Sequence, residues 1–236
     1  MLLALDIGNT RLKWGLHDGQ NWLQQGHNIH DLAAVEAALT VQPDHLIVSN
    51  VSRTFPDEAW LQRFGYLPHK IVHATPSQCG VHNQYQPAQQ LGSDRWAALI
   101  GARNLGADTA LIINAGTALT VDALHQREFM GGTITPGYRL MRDALTQHTR
   151  LPLTHAAEPI VQFPHNTAEA IDNGCLNALL GSIARMHAHL AQQTSIQPTL
   201  WLSGGDAPRL APHLNARLEE HLVLHGLYCI AQELFN

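Results

Sequence analysis

The sequence predicts an α/β fold that contains two copies of one structural unit. Short apolar stretches alternate with helical stretches along 236 residues, a length that suits one large domain or two small ones. Two segments in different parts of the chain share one plan: a buried strand, a turn with Gly and Thr, and a second strand. Asp6 then corresponds to Asn114, and Gly8 corresponds to Gly116. A duplicated unit explains this correspondence.

The two copies divide the chain near its middle. Corresponding residues are 108 positions apart, so we expect one half at residues 1–108 and the other at residues 109–236. An alternative stays open, because any two strand-turn-strand units share the same general plan.

The first half is predicted to contain four strands and two short helices. Asp31 is a candidate N-cap for a helix of favourable composition that ends near Leu39. A second helix follows the sequence GSD. The expected strands are Leu2–Asp6, Arg11–Leu16, His45–Val51 and Lys70–His73, and the second helix is Arg95–Leu105.

The second half begins with the repeated strand pair. The glycines and the proline of residues 131–137 predict a loop, and a turn with two glycines follows a short apolar strand near residue 203. A terminal helix completes the chain. The other expected elements are strands at Thr109–Asn114, Ala118–Leu124 and Thr199–Ser203, and helices at Tyr138–Thr149 and Thr167–Gln193.

Composition excludes several classes of protein. The formal net charge is −5 and no cluster of Lys and Arg occurs, which disfavours nucleic-acid binding. No apolar run reaches the roughly 18 residues that a membrane span needs. The three cysteines are far apart and odd in number, and the N-terminal residues do not form a signal peptide. The expected setting is therefore the cytoplasm, without a membrane or a nucleic-acid partner.

The segment DIGNTRLK, residues 6–13, has the composition of a phosphate-binding turn. A carboxylate at a strand end, followed by a glycine turn, brings backbone N–H groups and a hydroxyl near one point, where Asp6 could hold Mg²⁺ directly or through water. Lys13 adds a positive charge for phosphate oxygens. The spacing is not that of a Walker A loop. The alternative is a hairpin whose Asp and Asn only build the turn.

Two further glycine turns follow apolar strands. The segment AGTALTVD, which contains Thr117, repeats the glycine turn at a strand end that is found in residues 6–13. Two such turns would bind a polyphosphate from both sides. The turn SGGD at residues 203–206 allows a flat ligand such as a nucleobase to approach the backbone closely.

The segment GSDR, residues 92–95, leads into a helix. An aspartate at this place is often an N-cap, and that alternative stays open for Asp94. Arg95 is unfavourable for the helix dipole in the first turn, and binding of a substrate carboxylate would explain its presence.

The motifs DIGNTRLK, GSDRW, AGTALTVD, GGTITPG and NTAEAI occur in this order. In this combination, from Met1 to about Asp206, the chain resembles the type III pantothenate kinases, once described as Bvg accessory factors. The resemblance implies two RNase H-like halves of the acetate and sugar kinase/Hsp70/actin superfamily, with the nucleotide cleft between them. It also implies ATP-dependent phosphorylation of pantothenate to 4′-phosphopantothenate, the first step of coenzyme A biosynthesis.

The resemblance also implies a role for each matching residue. Asp94 corresponds to the catalytic base, Asp6 lies near the Mg²⁺ that accompanies ATP, and Thr117 contacts ATP. The remaining ATP and phosphate contacts are Ile7, Gly8, Asn9, Thr10, Arg11, Leu12 and Lys13. The pantothenate pocket is lined by Tyr85, Gly92, Ser93, Asp94, Arg95 and Thr167.

Two expectations concern the assembly and a monovalent cation. The family forms homodimers in which Thr167 and its long helix lie near the partner subunit. The family often has an aspartate that binds K⁺ or NH₄⁺ just before the AGT turn, whereas this chain has Asn114. An amide oxygen can coordinate K⁺ but brings no charge, so we expect weak dependence on K⁺. Thr167 also has a purely structural interpretation: its hydroxyl stands at the start of a helix that Asn166 and Glu169 cap as a pair. This interpretation is compatible with contact to the substrate.

Two other functions remain possible from the sequence. One is a kinase for another small hydroxylated substrate. The other is a nucleotide-binding accessory regulator of the same fold that has lost catalysis. The presence of both Asp6 and Asp94 disfavours the regulator, because a protein that only binds nucleotide needs no base.

Overall fold

The computed structural model describes residues 1–148 and 161–235. The strands are β1 (Leu2–Ile7), β2 (Leu12–His17), β3 (Trp22–Asn28), β4 (His45–Asn50), β5 (His69–Ile71), β6 (Ser77–Gln78), β7 (Val81–Asn83), β8 (Thr109–Ala115), β9 (Ala118–His125), β10 (Glu128–Pro136), β11 (Thr199–Ser203) and β12 (Ala216–Leu218). The helices are α1 (Leu32–Ala38), α2 (Asp57–Phe64), α3 (Ser93–Asn104), α4 (Tyr138–His148), α5 (Thr167–Thr194), α6 (Ala207–Leu210) and α7 (Leu222–Phe235). Short 3₁₀ turns occur at Ala88–Gln90 and Ala211–His213.

The chain forms two compact units. Unit 1 contains Met1–Asp108, Gln126–Gly131 and His221–Asn236, and unit 2 contains Thr109–His125 and Gly132–Glu220. Asp108 thus ends the long segment of unit 1, at the place where the sequence predicts the boundary between halves. Helix α7 packs in unit 1 although it lies at the C-terminal end of the chain, so the two compact units are not the two continuous halves. The division into halves at residues 1–108 and 109–236 remains a proposal, based on the duplicated sequence.

Unit 1 is built on a five-stranded sheet with the order β3-β2-β1-β4-β5. Strands β1 and β2 are antiparallel, whereas β4 lies parallel to β1 and to β5. Apolar side chains of β1, β2 and β4 pack with residues of α1 and α2, such as Val35 and Trp60, which are fully buried. Helix α7 packs against α3 and against β1. The core therefore fixes both the end of β1 and the helix that carries Asp94.

Unit 2 repeats this strand order. In a seven-stranded sheet that ends in β7 and β6, the other five strands run β10-β9-β8-β11-β12, so β8 takes the place of β1 and β11 takes the place of β4. Strands β8 and β9 are antiparallel, and β11 is parallel to β8 and to β12. Asp6 pairs with Ser49 across β1 and β4, and Asn114 pairs with Ser203 across β8 and β11. Asp6 and Asn114 therefore occupy equivalent positions in the two sheets, in agreement with the correspondence that the sequence predicts.

Most of the predicted elements occur within a few residues of their expected bounds. The side chain of Asp31 accepts a hydrogen bond from Ala34 N–H at 2.9 Å, so the predicted N-cap of α1 is confirmed. Helix α5 begins at Thr167 as expected and ends at Thr194. The predicted end of α4, Thr149, lies outside the described residues.

One predicted loop is wrong. Residues 131–136 belong to strand β10, which begins at Glu128 and continues through Pro136. The hairpin turn after β9 places this segment beside β9, where sheet hydrogen bonds outweigh the low strand propensity of its glycines. Within the described parts of the chain, no helix is long and apolar enough to cross a membrane.

Candidate active site

Asp6 occupies a buried position near the end of β1. It pairs with Lys13 of β2 on one side and with Ser49 of β4 on the other, and 9% of the residue is exposed. The pKa of Asp6 is raised to about 7, mainly by burial and also by the negative charge of Asp94, while the positive charge of Lys13 opposes the shift. Asp6 and Asp94 are thus close enough to interact electrostatically. A cation near Asp6 would favour the ionised carboxylate.

The turn between β1 and β2 is held by three contacts. The N–H of Gly8 donates to the carbonyl of Arg11 at 3.0 Å, which closes the turn. The carbonyl of Gly8 accepts from His30 Nε2 at 2.7 Å. The side-chain oxygen of Asn9 accepts from Arg53 N–H at 3.2 Å. The turn is therefore braced by two loops of the same unit, the one before α1 and the one before α2.

The predicted phosphate residues differ in what they expose. Ile7 and Leu12 have no exposed surface, so neither residue is accessible to a ligand. Asn9, Thr10 and Arg11 are exposed. The part of this motif that can meet a phosphate is therefore the turn itself, together with the partly buried Lys13 beside it.

Asp94 is the second residue of α3 and is not its cap. The cap position belongs to Gly92, where a Cβ atom would lie 2.7 Å from Asp94 Oδ1, so a residue with a side chain would displace this carboxylate. Asp94 Oδ1 accepts from Arg95 N–H at 2.8 Å. Burial raises the pKa of Asp94, and the N–H and the charge of Arg95 oppose this shift. A partly buried carboxylate with a raised pKa can accept a proton.

Arg95 lies beside two aromatic rings of the same unit, whose centres are 5.1 Å apart. Its guanidinium carbon is 5.7 Å from the centre of the Tyr85 ring and 6.0 Å from the centre of the Phe129 ring. Its Nη2 donates to Tyr85 Oη at 3.4 Å. Because Arg95 is 6% exposed, its charge is held in a fixed and largely dry place. The structure therefore brings Tyr85 and Arg95 together.

A buried hydroxyl pair fixes the start of α3. Ser93 Oγ lies 2.8 Å from Ser49 Oγ, and both residues are buried. Ser49 is also the neighbour of Asp6 in the sheet. Sequence reasoning missed Ser49, because a serine within an apolar strand carries no motif.

In unit 2, Asn114 lies beside two glycine turns. It occupies the position before the last residue of β8, and its Oδ1 would lie 2.6 Å from a Cβ atom at Gly204. Gly204 has a φ of +101° and approaches the carbonyl of Ala115. Thr117 is exposed, and its carbonyl accepts from Gly137 N–H at 2.8 Å. Asn114 and Thr117 thus belong to one turn that the segments around Gly137 and Gly204 support.

Thr167 is the exposed first residue of α5. Asn166 caps this helix by accepting from Glu169 N–H at 3.0 Å, while the carboxylate of Glu169 accepts from His165 N–H at 3.2 Å. The predicted capping pair is therefore present, with the second bond one residue earlier than in a standard capping box. Thr167 also borders an apolar cavity of about 740 Å³ between α4 and α5.

The predicted site residues fall into two groups. Unit 1 brings together residues 6–13, Tyr85 and residues 92–95, whereas Asn114, Thr117 and Thr167 belong to unit 2. Among residues 1–148 and 161–235, no group of three His, Cys, Asp or Glu side chains is placed to hold a metal ion. Asp6 is the carboxylate whose burial and raised pKa suit a cation that arrives with a nucleotide.

Comparisons with known proteins identify the family. A profile described as type III pantothenate kinase matches residues 2–189. A type III pantothenate kinase of Nitrosospira multiformis is 42% identical over 99% of this chain and 92% of its own length. Another from Aromatoleum aromaticum is 41% identical over 99% of this chain and 98% of its own length. The chain belongs to the type III pantothenate kinase family.

Solved structures show the fold of this type III pantothenate kinase family member. A Baf family protein of Campylobacter jejuni aligns with a TM-score of 0.64 and 21% identity over 99% of both chains. A Sinorhizobium meliloti protein assigned as a 2-dehydro-3-deoxygalactonokinase aligns with a TM-score of 0.59 and 17% identity over 100% of this chain and 99% of its own. With the repeated sheet order, these neighbours show a duplicated α/β fold.

Proposed function

We propose that this chain transfers the γ-phosphoryl group of ATP to the primary hydroxyl of pantothenate and so forms 4′-phosphopantothenate, the first step of coenzyme A biosynthesis. Membership of the type III pantothenate kinase family supports the reaction. The observation that carries the proposal at the level of residues is that unit 1 holds the carboxylates of Asp6 and Asp94 near each other: the sheet neighbour of Asp6, Ser49, lies 2.8 Å, Oγ to Oγ, from Ser93, which precedes Asp94. Phosphoryl transfer needs positioning and charge neutralisation, and this pair divides those tasks.

Asp94 is proposed as the general base. In its ionised form it accepts the proton of the substrate hydroxyl while that oxygen attacks the γ-phosphorus in line with the leaving oxygen of ADP. The raised pKa favours this role, because a stronger base takes the proton more readily in the transition state. The N–H of Arg95 keeps the carboxylate in one orientation.

Asp6 is proposed to face the Mg²⁺ that enters as part of Mg-ATP, directly or through water. Bound in this way, the ion neutralises charge on the phosphate oxygens. The carboxylate of Asp6 fits such an ion because it is buried and its ionised form is disfavoured in the free protein. A cation beside it would stabilise the ionised form. Lys13 and the backbone N–H groups of residues 9–11 are proposed to contact phosphate oxygens from the turn. Thr117 is proposed as a further ATP contact.

Arg95 is proposed to hold the carboxylate of pantothenate or polar groups near it. A buried guanidinium held beside two aromatic rings is suited to an anionic ligand, because its position is fixed before the ligand arrives. Tyr85, Gly92 and Ser93 are proposed to line the same pocket, and Thr167 to contact the substrate. Asn114 is proposed as a weak site for K⁺ or NH₄⁺, since it brings an amide oxygen and no charge.

A homodimer is proposed as the assembled form. The cavity between α4 and α5 is lined almost entirely by apolar groups, including Leu140 and Ile171, and a second subunit would remove such a surface from water. Light scattering at micromolar concentration is expected to give about twice the chain mass of 25.9 kDa. A monomeric mass would contradict the dimer. We expect the enzyme in the cytoplasm, where ATP is available.

The reaction is tested by ADP release with purified protein, ATP and Mg²⁺, with and without pantothenate. The expected result is ADP release that depends on pantothenate, together with a product heavier by one phosphoryl group in mass spectrometry. A panel of sugars and other small alcohols under the same conditions serves as the control. ADP release with one of these substrates but not with pantothenate would contradict the proposed substrate.

A further inference from the structure

His30 contacts the phosphate turn from outside the motif that defines it. It lies between β3 and α1, and its Nε2 is 2.7 Å from the carbonyl oxygen of Gly8. Its ring lies 5.1 Å from the ring of Phe55 at an angle of 32°. All three residues belong to unit 1. The contact joins two segments that are 22 residues apart in the chain.

The direction of this bond determines the direction of the neighbouring peptide. A carbonyl oxygen only accepts, so Nε2 carries the proton and donates it to Gly8. In a trans peptide the C=O and the N–H point in opposite directions, so the N–H of Asn9 points away from His30. Asn9 is exposed, and within the described chain its N–H makes no hydrogen bond. It is therefore available to a ligand.

We propose that His30 is a positioning residue for ATP binding: it fixes the Gly8–Asn9 peptide so that the Asn9 N–H faces the phosphates. The inference rests on the proposed function and adds to it a residue outside the DIGNTRLK motif. An anion is the ligand that a fixed backbone N–H in a glycine turn recognises. Without the bond, the same peptide would sample other orientations. ATP would then have to order the peptide on binding, and the free energy that this costs would reduce the affinity for ATP.

Two observations support a fixed arrangement. His30 has a φ of +53°, a region that costs energy for a residue with a Cβ atom and persists where surrounding contacts hold it. Asn9 is held separately through its side chain by Arg53 N–H. The turn is thus restrained on both sides of the peptide that we assign to phosphate binding.

The test uses three variants of His30 in the complete protein. H30F keeps a ring beside Phe55 and removes the donor. H30N suits the positive φ, which protects folding, but its amide is too short to reach Gly8. H30Q places an amide N–H near the position of Nε2. The matched control is H73F, which changes an exposed histidine of the same unit.

Steady-state kinetics with both substrates separate the outcomes. We expect H30F and H30N to raise the KM for ATP about tenfold and to leave the KM for pantothenate within about twofold. We expect H30Q to recover most of the loss and H73F to match the wild type. An unchanged KM for ATP in H30F and H30N, or an equal rise for both substrates, would overturn the positioning role.

A second readout does not depend on the reaction. Amide exchange of Gly8, measured by NMR in the protein without ligands, reports whether the turn closed by Arg11 stays formed. We expect faster exchange in H30F and H30N than in the wild type. Unchanged exchange would overturn the role of His30, whereas a wild type without pantothenate-dependent ADP release would instead overturn the proposed function.

Discussion

Ser49 Oγ and Ser93 Oγ lie 2.8 Å apart, although the two residues are 44 positions apart in the chain. Ser49 stands beside Asp6 in the sheet, and Ser93 is the first residue of the helix that carries Asp94. One hydroxyl contact thus connects the strand next to the proposed Mg²⁺ ligand with the helix of the proposed base. Its place suggests that it sets the position of one carboxylate relative to the other.

Removing this contact should reduce both stability and turnover. In S49A the hydroxyl of Ser93 remains buried without its partner, which we expect to cost about 1–3 kcal/mol in the free energy of unfolding. A small displacement of Asp94 should lower kcat about tenfold. Urea unfolding and steady-state kinetics measure the two effects. The double variant S49A/S93A is the control, since it leaves neither hydroxyl unpaired, and a kcat for S49A equal to wild type would contradict the positioning role.

The ionisation of Asp6 should make the free protein less stable as the pH rises. Its pKa is about 7 in the folded protein, against an ordinary value of 3.8, so between these values the folded state holds a proton that the unfolded chain has released. The free energy of unfolding therefore falls as the pH rises through this window. At pH 8, without Mg²⁺, D6N should be more stable than wild type by about 2–4 kcal/mol.

Unfolding of both proteins between pH 5 and 8, in the presence of a chelator, checks this prediction. At pH 5 the advantage of D6N should be smaller, about 1–2 kcal/mol, because only part of the window between the two pKa values has been crossed: the unfolded chain has released its proton, while Asp6 in the folded state keeps it. D6N should also lose productive Mg-ATP binding. Equal stability at pH 8, or a variant that is less stable there, would contradict a strongly raised pKa for Asp6.

The sequence predicts the strand-turn-strand units well because their signals are local. Apolar runs that end in a glycine turn identify β1 and β2, and the same pattern identifies β8 and β9. The motifs at Asp6 and Asp94 could be found for the same reason. Ser49 and His30 could not, because their roles depend on contacts with residues 44 and 22 positions away.

Strands β3 and β10 are among those that the sequence alone does not predict, and the reason is physical. Strand β3 alternates between partly buried and exposed residues and contains Gln, Gly and His, so it lacks an apolar run. Strand β10 contains two glycines and a proline. Both lie beside a stronger neighbour, β2 or β9, and sheet pairing supplies the order that their own composition does not.

Gly204 should tolerate no side chain. It has a φ of +101°, and a Cβ atom would lie 2.2 Å from the carbonyl oxygen of Ala115. We therefore expect G204A to lose more than about 2 kcal/mol in the free energy of unfolding, because strain and a backbone clash add. Chemical denaturation measures this loss.

Gly181 offers a matched control in the same unit. It lies within α5, and a Cβ atom there would meet nothing within 4 Å. G181A should stabilise the protein by up to about 1 kcal/mol, because alanine favours a helix. If the free energy of unfolding of G204A were as high as that of G181A, the close approach at Gly204 would be contradicted.

Dependence on a monovalent cation should be weak. Asn114 provides an amide oxygen without charge beside the AGT turn, so we expect K⁺ to raise the initial rate less than about tenfold, or about 1.4 kcal/mol. Rates in Na⁺, K⁺ and Tris buffers at equal ionic strength measure this. N114D supplies the missing charge and should increase the activation by K⁺. Strong activation of the wild type would show that the charge is not needed.

The turnover of D94N tests the central claim most directly. Asn keeps the shape of Asp94 and the acceptor for Arg95 N–H, but it cannot take the proton of the substrate hydroxyl. Asp94 does not cap α3, so the exchange should leave the helix intact. We predict that kcat for pantothenate falls by about 10²–10⁴, while the affinity for ATP stays within about threefold. A D94N enzyme that keeps more than about a third of wild-type turnover would contradict Asp94 as the base.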